Sequence, residues 1–455
     1  MPRHVVVVGG GFAGLRAAVT LADAGRRVTL LESRNSLGGR ARSFTDPATG
    51  DVVDNGQHLF LGGYHRTLAF LDRLGTRDKL VFQTRLRVRF AEPGGAGCTL
   101  DCPPLPAPWH LIGGMLRLQG IPLKDKLGLF RIWSEIMRTP HPSPSPQRGE
   151  GRGEGETVEQ WLNRLGQGEK SRKLFWDPLT IAALNEDPKK ASAVGLKRVL
   201  QTMMGKPWPN SRLGMASVGL TDLYAEPARR IIEQKGGQVR LNRPAAGLEI
   251  SGGRVQAVRL ADGSRIEADA VISALPPAAL LRLLPPDLPE CEGLARSLRQ
   301  FRSSPILSVN LWLDRPVTEE FFVALVGCRF QWLFNKQAIL RLAGIEAGYV
   351  SLIISAADGF LDRSNEDLVR MALEDLRACF PKALPVNAAR SQVVRERDAT
   401  VSLTPETEKL RPGPKTPLAG LFLAGDWTAT GLPATVESAV LSGEQAARLA
   451  ITGAA

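Results

Sequence analysis

Residues 4–18 read HVVVVGGGFAGLRAA, and RVTLLE follows at 27–32. The four valines predict a buried strand. The next segment has helical spacing and stops at Gly25, and RVTLLE predicts a second strand. Gly9, Gly11 and Gly14 fall where the first strand turns into the helix. In such a unit the first glycine permits a tight turn. The second lets the backbone approach a pyrophosphate, and the third lets helix and strand pack closely. Anionic phosphates then meet the free N–H groups and the positive dipole end of the helix. Glu32 closes the second strand, 18 residues after Gly14, where a carboxylate accepts from ribose hydroxyls. An acid there argues against a 2′-phosphate. The unit predicts an α/β protein with a Rossmann-type dinucleotide domain.

Two further motifs narrow the dinucleotide. Gly38, Gly39 and Arg40 begin six residues after Glu32. A second glycine loop with a cation brings backbone against another phosphate or a planar ring. A simple nicotinamide enzyme has no use for that, whereas FAD, lying extended, does. Near the other end LFLAGDW (421–427) is a strand ending in Gly425 and Asp426. Its carboxylate suits a polyol such as the ribityl chain. The helix that follows, from about Ala434, would set its positive end against the flavin's N1–C2=O edge.

Composition excludes other classes. In 455 residues, 43% are hydrophobic, enough for a sizeable core, so a mainly disordered chain is ruled out. No run of about 18 apolar residues predicts a transmembrane helix. The apolar start is broken by glycines and lacks a small-residue cleavage site, which argues against a signal peptide. The net charge of +12 is spread out, without a basic block, so nucleic acid is not an expected partner. Five cysteines are an odd number, and Cys98 and Cys102 have C-x3-C spacing but no second Cys or His pair at zinc-site distances, so neither a disulfide framework nor a metal site is expected.

The rest of the chain divides as follows. Residues 103–138 mix Trp, Leu, Ile and Met with Lys and Arg. They read as core helices or as helices lying on a bilayer surface. Residues 139–156, TPHPSPSPQRGEGRGEGE, are low complexity and predict a disordered insert. Helical patterning resumes over 157–206. Short strands follow at 238–273, three of them arranged as a meander. Strand patterning returns over 305–356 and a helix over 364–380.

VVVVGGGFAGLRAA, LLES, LGGRARSF and LAGDWTATGLPATVESAVLSGEQAA together resemble the FAD-dependent amine oxidase and carotenoid desaturase superfamily. Within it the chain is most similar to the hydroxysqualene dehydroxylase family, also called squalene-associated FAD-dependent desaturases. That likeness rests on DNGQHLFLGGYHRT (54–67), FWDPLTIAALNEDPKKASA (175–193), QWLFNK (331–336) and GDWTATGLPATVESAVLSG (425–443). The insert departs from the pattern, and so does Asp398, where a basic residue is expected.

The resemblance implies a mixed-sheet and helical substrate domain beside the FAD domain. It divides the chain into 1–75, 228–290 and 405–455 for FAD, and 76–227 and 291–404 for substrate. It implies FAD contacts from Gly9, Gly11, Gly14, Glu32, Gly39, Arg40, Gly425 and Asp426, with Ala246 by the adenine and Leu432 to Val436 by the flavin. No cysteine falls in 425–443, so the FAD is expected to be non-covalent. The reaction implied is reductive loss of the hydroxyl of hydroxysqualene, giving squalene for squalene and hopanoid synthesis. The implied external reductant is NADPH, and the implied partners are a membrane surface and prenyl synthases of the pathway. The implied location is cytoplasmic and peripheral, on the inner face of the membrane, with 103–138 facing the lipid.

Such chemistry needs an acid near the flavin to protonate the leaving hydroxyl. Gln57 and His58, 17 and 18 residues after Arg40, are the candidates. Three roles stay open for His58: the acid, a contact at the flavin edge, or a loop anchor; Asp54 reads as an anchor. Trp312, Trp332 and Phe334 lie on apolar strands and could line a polyisoprenoid tunnel, where aromatic faces stabilise a cation. The rival readings are a carotenoid desaturase, an amine or porphyrinogen oxidase, and a flavin-free prenyl-lipid escort.

Overall fold

The computed structural model describes residues 3–138, 155–205, 207–285, 288–341 and 348–453. The expected disordered insert lies outside the described residues except for 155 and 156. Strand His4–Val8 sits at the centre of a five-stranded parallel sheet. The spatial order is Gln238–Arg240, Arg27–Leu31, His4–Val8, Ala270–Ser273 and Leu421–Leu423. The two ends of the chain therefore meet in one sheet.

Strand alternation explains its two cores. Val5 and Val7 point toward helices Phe12–Asp23 and Val436–Thr452. Val6 and Val8 point the other way, toward Leu248, Val255 and Val258 of a three-stranded antiparallel sheet. Burial on both faces is why the first strand is all valine.

A second, seven-stranded sheet runs in the order Ala388–Val401, Ser303–Leu313, Gly348–Ser355, Trp332–Asn335, Phe322–Leu325, Arg87–Ala91 and Gly97–Asp101. Its odd-numbered residues Leu307, Val309, Leu311 and Leu313 pack against helix Asn365–Cys379. Its other face turns toward residues 44–58 and the helices built from 109–138 and 157–204. Those helices include Trp109–Arg117 and Leu123–Arg138.

Candidate active site

The site begins at the first turn. Gly9 has φ +111°, a conformation L side chains rarely adopt. A methyl group at Gly14 would lie 1.8 Å from the Gly9 carbonyl, so only glycine lets the helix come this close to the strand. Gly11 differs: a methyl group there would meet nothing nearer than the Gly38 oxygen at 3.9 Å, so it borders open space. Gly11 is also the N-cap of the helix. It supplies no side-chain cap, and the first turn holds no acid. The free N–H groups therefore point at a cleft suited to an anion. Glu32 is buried at the strand end, its carboxylate accepting from Gly10 N (2.8 Å) and Arg34 N (3.0 Å).

The second glycine loop is clamped against this helix. Phe12 stacks on Tyr224 with ring centres 3.5 Å apart, and the Tyr224 hydroxyl donates to the Gly38 carbonyl at 2.7 Å. Arg40 then reaches Asp426 of the C-terminal motif at 2.6 Å. Burial opposes the Arg40 charge, but Asp426 more than offsets it and the guanidinium stays firmly protonated. Arg411 fixes the Asp426 loop by donating to the carbonyls of Asp426 and Thr428 (3.0 and 2.6 Å). Thr435 caps helix Val436–Thr452 by accepting from Ser438 N.

Residues 54–58 form the next wall. Asn55 accepts from Arg42 N (2.9 Å) and donates to the Arg40 carbonyl (3.1 Å), tying this loop to the glycine loop. Asp54 anchors it from below: one oxygen accepts from Leu220 N and the other pairs with Lys336 at 2.6 Å. Lys336 is 1% exposed and also lies 3.3 Å from the Gln57 side-chain oxygen. His58 Nδ1 meets the Gly56 carbonyl at 3.2 Å. A carbonyl only accepts, so Nδ1 carries the hydrogen and Nε2 is the open position of the neutral ring. Burial pulls the His58 pKa below its ordinary value.

One cavity of about 950 Å³ joins these parts. At one end it is lined by Gly9, Gly11, Glu32, Gly39 and Arg40; Gln57, His58, Gly425, Asp426 and Val436 line it too. It continues between Trp332 and Phe334 of the mixed sheet and Met115, Ile132, Phe175 and Met203 of the helices. Gly14 packs behind the turn. Besides Gly14, three expected site residues are not in the wall. Ala246 is exposed on the antiparallel sheet. Leu432 borders a separate pocket of about 70 Å³ beside Tyr64, Thr435 and Glu437. Trp312 is on the same strand face as the wall residue Ile306 but six residues, about 20 Å, further along. There it stacks on Tyr349 and donates to Asp51 (2.6 Å), tying strand Ser303–Leu313 to the chain around Asp51.

Sequence reasoning missed Lys336, Tyr224 and Asn55. Lys336 follows strand Trp332–Asn335, and its burial rests on a carboxylate 282 residues away in the sequence, which no local pattern marks. Among the described residues, no group of three or more His, Cys, Asp or Glu gathers as a metal site.

The family of flavin-containing amine oxidoreductases matches residues 12–451. The chain belongs to that family. It is 33% identical to hydroxysqualene dehydroxylase of Sinorhizobium fredii, covering 99% of both chains. It is 28% identical to a chloroplastic 15-cis-phytoene desaturase of an Oncidium hybrid, covering 98% of this chain and 77% of that one. The solved structure of an oxidoreductase from Methanosarcina mazei superposes with a TM-score of 0.76 at 18% identity, over 97% of this chain and 99% of that one. The protein is an FAD-dependent oxidoreductase. The open cradle at Gly11, the uncapped helix, the strand-end Glu32 and the Arg40–Asp426 pair fit an extended dinucleotide.

Proposed function

We propose that this protein reduces hydroxysqualene to squalene. The full-length likeness to hydroxysqualene dehydroxylase carries the reading, and a cavity that runs from the dinucleotide cradle into an apolar channel agrees with it. In this reading Gly11, Glu32, Gly39, Arg40, Gly425, Asp426 and Val436 hold FAD. Reduced FAD, when bound, supplies the hydride. The residues of the chain do the remainder. His58 in its protonated form gives a proton to the allylic hydroxyl, the C–O bond breaks, and the hydroxyl leaves as water. A C–H bond then forms at the carbon that lost it. Trp332 and Phe334 offer π faces to the delocalised cation, and Met115, Ile132 and Met203 hold the polyisoprenoid and exclude bulk water.

The channel is walled by the inner faces of helices Trp109–Arg117 and Leu123–Arg138. Their outer faces expose Trp109, Leu116, Leu123, Leu127, Phe130 and Met137. Lys124, Lys126, Arg131 and Arg138 lie on the same helix as the last four of these. We assign this surface to an anionic bilayer from which the substrate arrives; co-flotation with anionic vesicles tests it. Among the described residues no helix is long and apolar enough to cross a membrane.

The test of the reaction is product analysis. The purified yellow protein, given hydroxysqualene and a reductant, is expected to yield squalene. The second reading, desaturation of a phytoene-type polyene, is favoured by the desaturase likeness. Dehydrogenated polyene with no squalene would replace the first reading with the second.

A further inference from the structure

The face of the mixed sheet that turns toward residues 44–58 carries a row of buried polar side chains with no hydrogen-bond partner among the described residues. Asn310 pairs across the ladder with Ser351 on one side and Gln392 on the other, and Ser308 is two residues along. Ser308, Asn310 and Ser351 are each fully buried, yet both side-chain polar atoms of Asn310 and the hydroxyls of Ser308 and Ser351 have no hydrogen-bond partner. The side-chain nitrogen of Gln57 is in the same condition. Leaving a buried polar group unpaired costs about 1–3 kcal/mol, and native proteins fill such places with water.

The position of the row is informative. On one side of it the Trp312–Tyr349 stack is tied to Asp51 and to the Val52 carbonyl. On the other side Ile306, Ile353, Trp332 and Phe334 line the cavity. The chain from Val52 to His58 passes over this face, held by the Lys336–Asp54 pair and the Lys336–Gln57 contact.

We propose that Ser308, Asn310 and Ser351 hold a buried water cluster and that Lys336 is a positioning residue, the two together returning protons to His58. The proposal rests on the dehydroxylation reading, in which each turnover consumes one proton from the acid. Water is the carrier: it receives a proton from solvent and passes one to Nε2, so no redox partner is needed. Lys336 neutralises Asp54 and fixes Gln57, the neighbour of His58. The charged groups facing His58 are Asp54, Arg40 and Glu396. Arg40 is paired with Asp426, Glu396 with Arg42 and Asp54 with Lys336.

Two measurements on the holoenzyme test this. The first is the titration of His58 by NMR of histidine-labelled protein, feasible with five histidines in the chain. Lys336→Met removes the cation that balances Asp54, so the His58 midpoint moves up; Lys336→Arg keeps it in place. Should Lys336→Met not fold, the double variant Asp54→Asn/Lys336→Met, which leaves no lone buried charge, is expected to move it down. The second is kcat and its solvent isotope effect with hydroxysqualene. Asn310→Leu is expected to lower kcat by about tenfold or more, part of the about 10²–10⁴-fold a positioned acid supplies, and to enlarge the isotope effect with KM unchanged. An unmoved His58 midpoint in the lysine variants overturns the role of Lys336. An Asn310→Leu enzyme that is more stable, with wild-type kcat and isotope effect, overturns the water cluster. If wild-type protein makes no squalene, the dehydroxylation reading fails on its own, while the His58 titration still reports on the positioning.

Discussion

Single residues set the cofactor cleft and its proton chemistry. Gly11 and Gly14 are three apart and face opposite tests. Gly14→Ala drives a methyl group into the Gly9 carbonyl, so the expected outcome is insoluble or strongly destabilised protein. Gly11→Ala has room within the fold but fills the open cradle. It should keep its melting temperature without added cofactor while FAD affinity falls about tenfold, roughly 1.4 kcal/mol, measured by fluorescence titration. Equal affinity in the Gly11 variant would move the cofactor elsewhere. His58 gives a pH test. Its folded pKa lies below the ordinary 6.5 because of burial. Between those values the unfolded chain binds the proton and the folded chain does not. Stability therefore rises with pH through that window and is lost as pH falls through it. Wild-type melting temperature should drop between about pH 7.5 and about pH 5.5, and His58→Asn should flatten that drop.

Elements meet at few, well-paired junctions, and one of them is Glu437 in the first turn of helix Val436–Thr452. Its carboxylate accepts from the backbone N–H groups of Arg66 and Thr67, both at 2.8 Å, and from the Thr67 hydroxyl at 2.7 Å. It thus caps helix His65–Leu74 from another helix and fixes Val436 at the cavity wall. Glu437→Ala leaves these donors unpaired in a buried place and should cost about 3 kcal/mol by denaturant unfolding. Glu437→Gln, which keeps one acceptor, should cost less. No sequence period marks such a cap, because its partners are 370 residues away. The same limit explains the strand that sequence patterning overlooks. Ala388–Val401 carries Arg390, Arg395, Glu396, Arg397 and Asp398 and is an edge strand, where charge replaces alternation. Strands buried on both sides, such as His4–Val8 and Gly348–Ser355, were legible because burial writes a continuous apolar run. Gly9 and Gly14 were legible for a different reason: backbone geometry there admits no other residue, whereas Gly11 is set by the open cradle it leaves. Lys336 and Trp312 were not, since one depends on a distant carboxylate and the other on its place along a strand.

At the scale of the whole molecule, apolar surface is distributed unevenly. Of the large hydrophobic side chains left exposed among the described residues, Leu105, Trp109, Leu116, Leu123, Leu127, Phe130 and Met137 all fall within residues 105–137, against Phe321 and Leu384 elsewhere. A solvent-facing helix would place polar residues there. Leu123, Leu127 and Phe130 recur at helical spacing and are 71%, 59% and 50% exposed, so they share one face. The protein carries a net charge of +12, which favours approach to an anionic surface, while burial of the leucines would hold it there. These two contributions separate experimentally. Raising salt should weaken vesicle binding only in part. The variant Leu123→Glu/Leu127→Glu should lose it at every salt concentration, because about 1.5–3 kcal/mol of burial per leucine is withdrawn and like charge is added. Its melting temperature and FAD content should stay at wild-type values, since both side chains already face outward. Turnover of substrate presented in detergent should persist, while turnover of substrate carried in vesicles should fall. Equal turnover in vesicles and detergent would show that the exposed face serves something other than a bilayer.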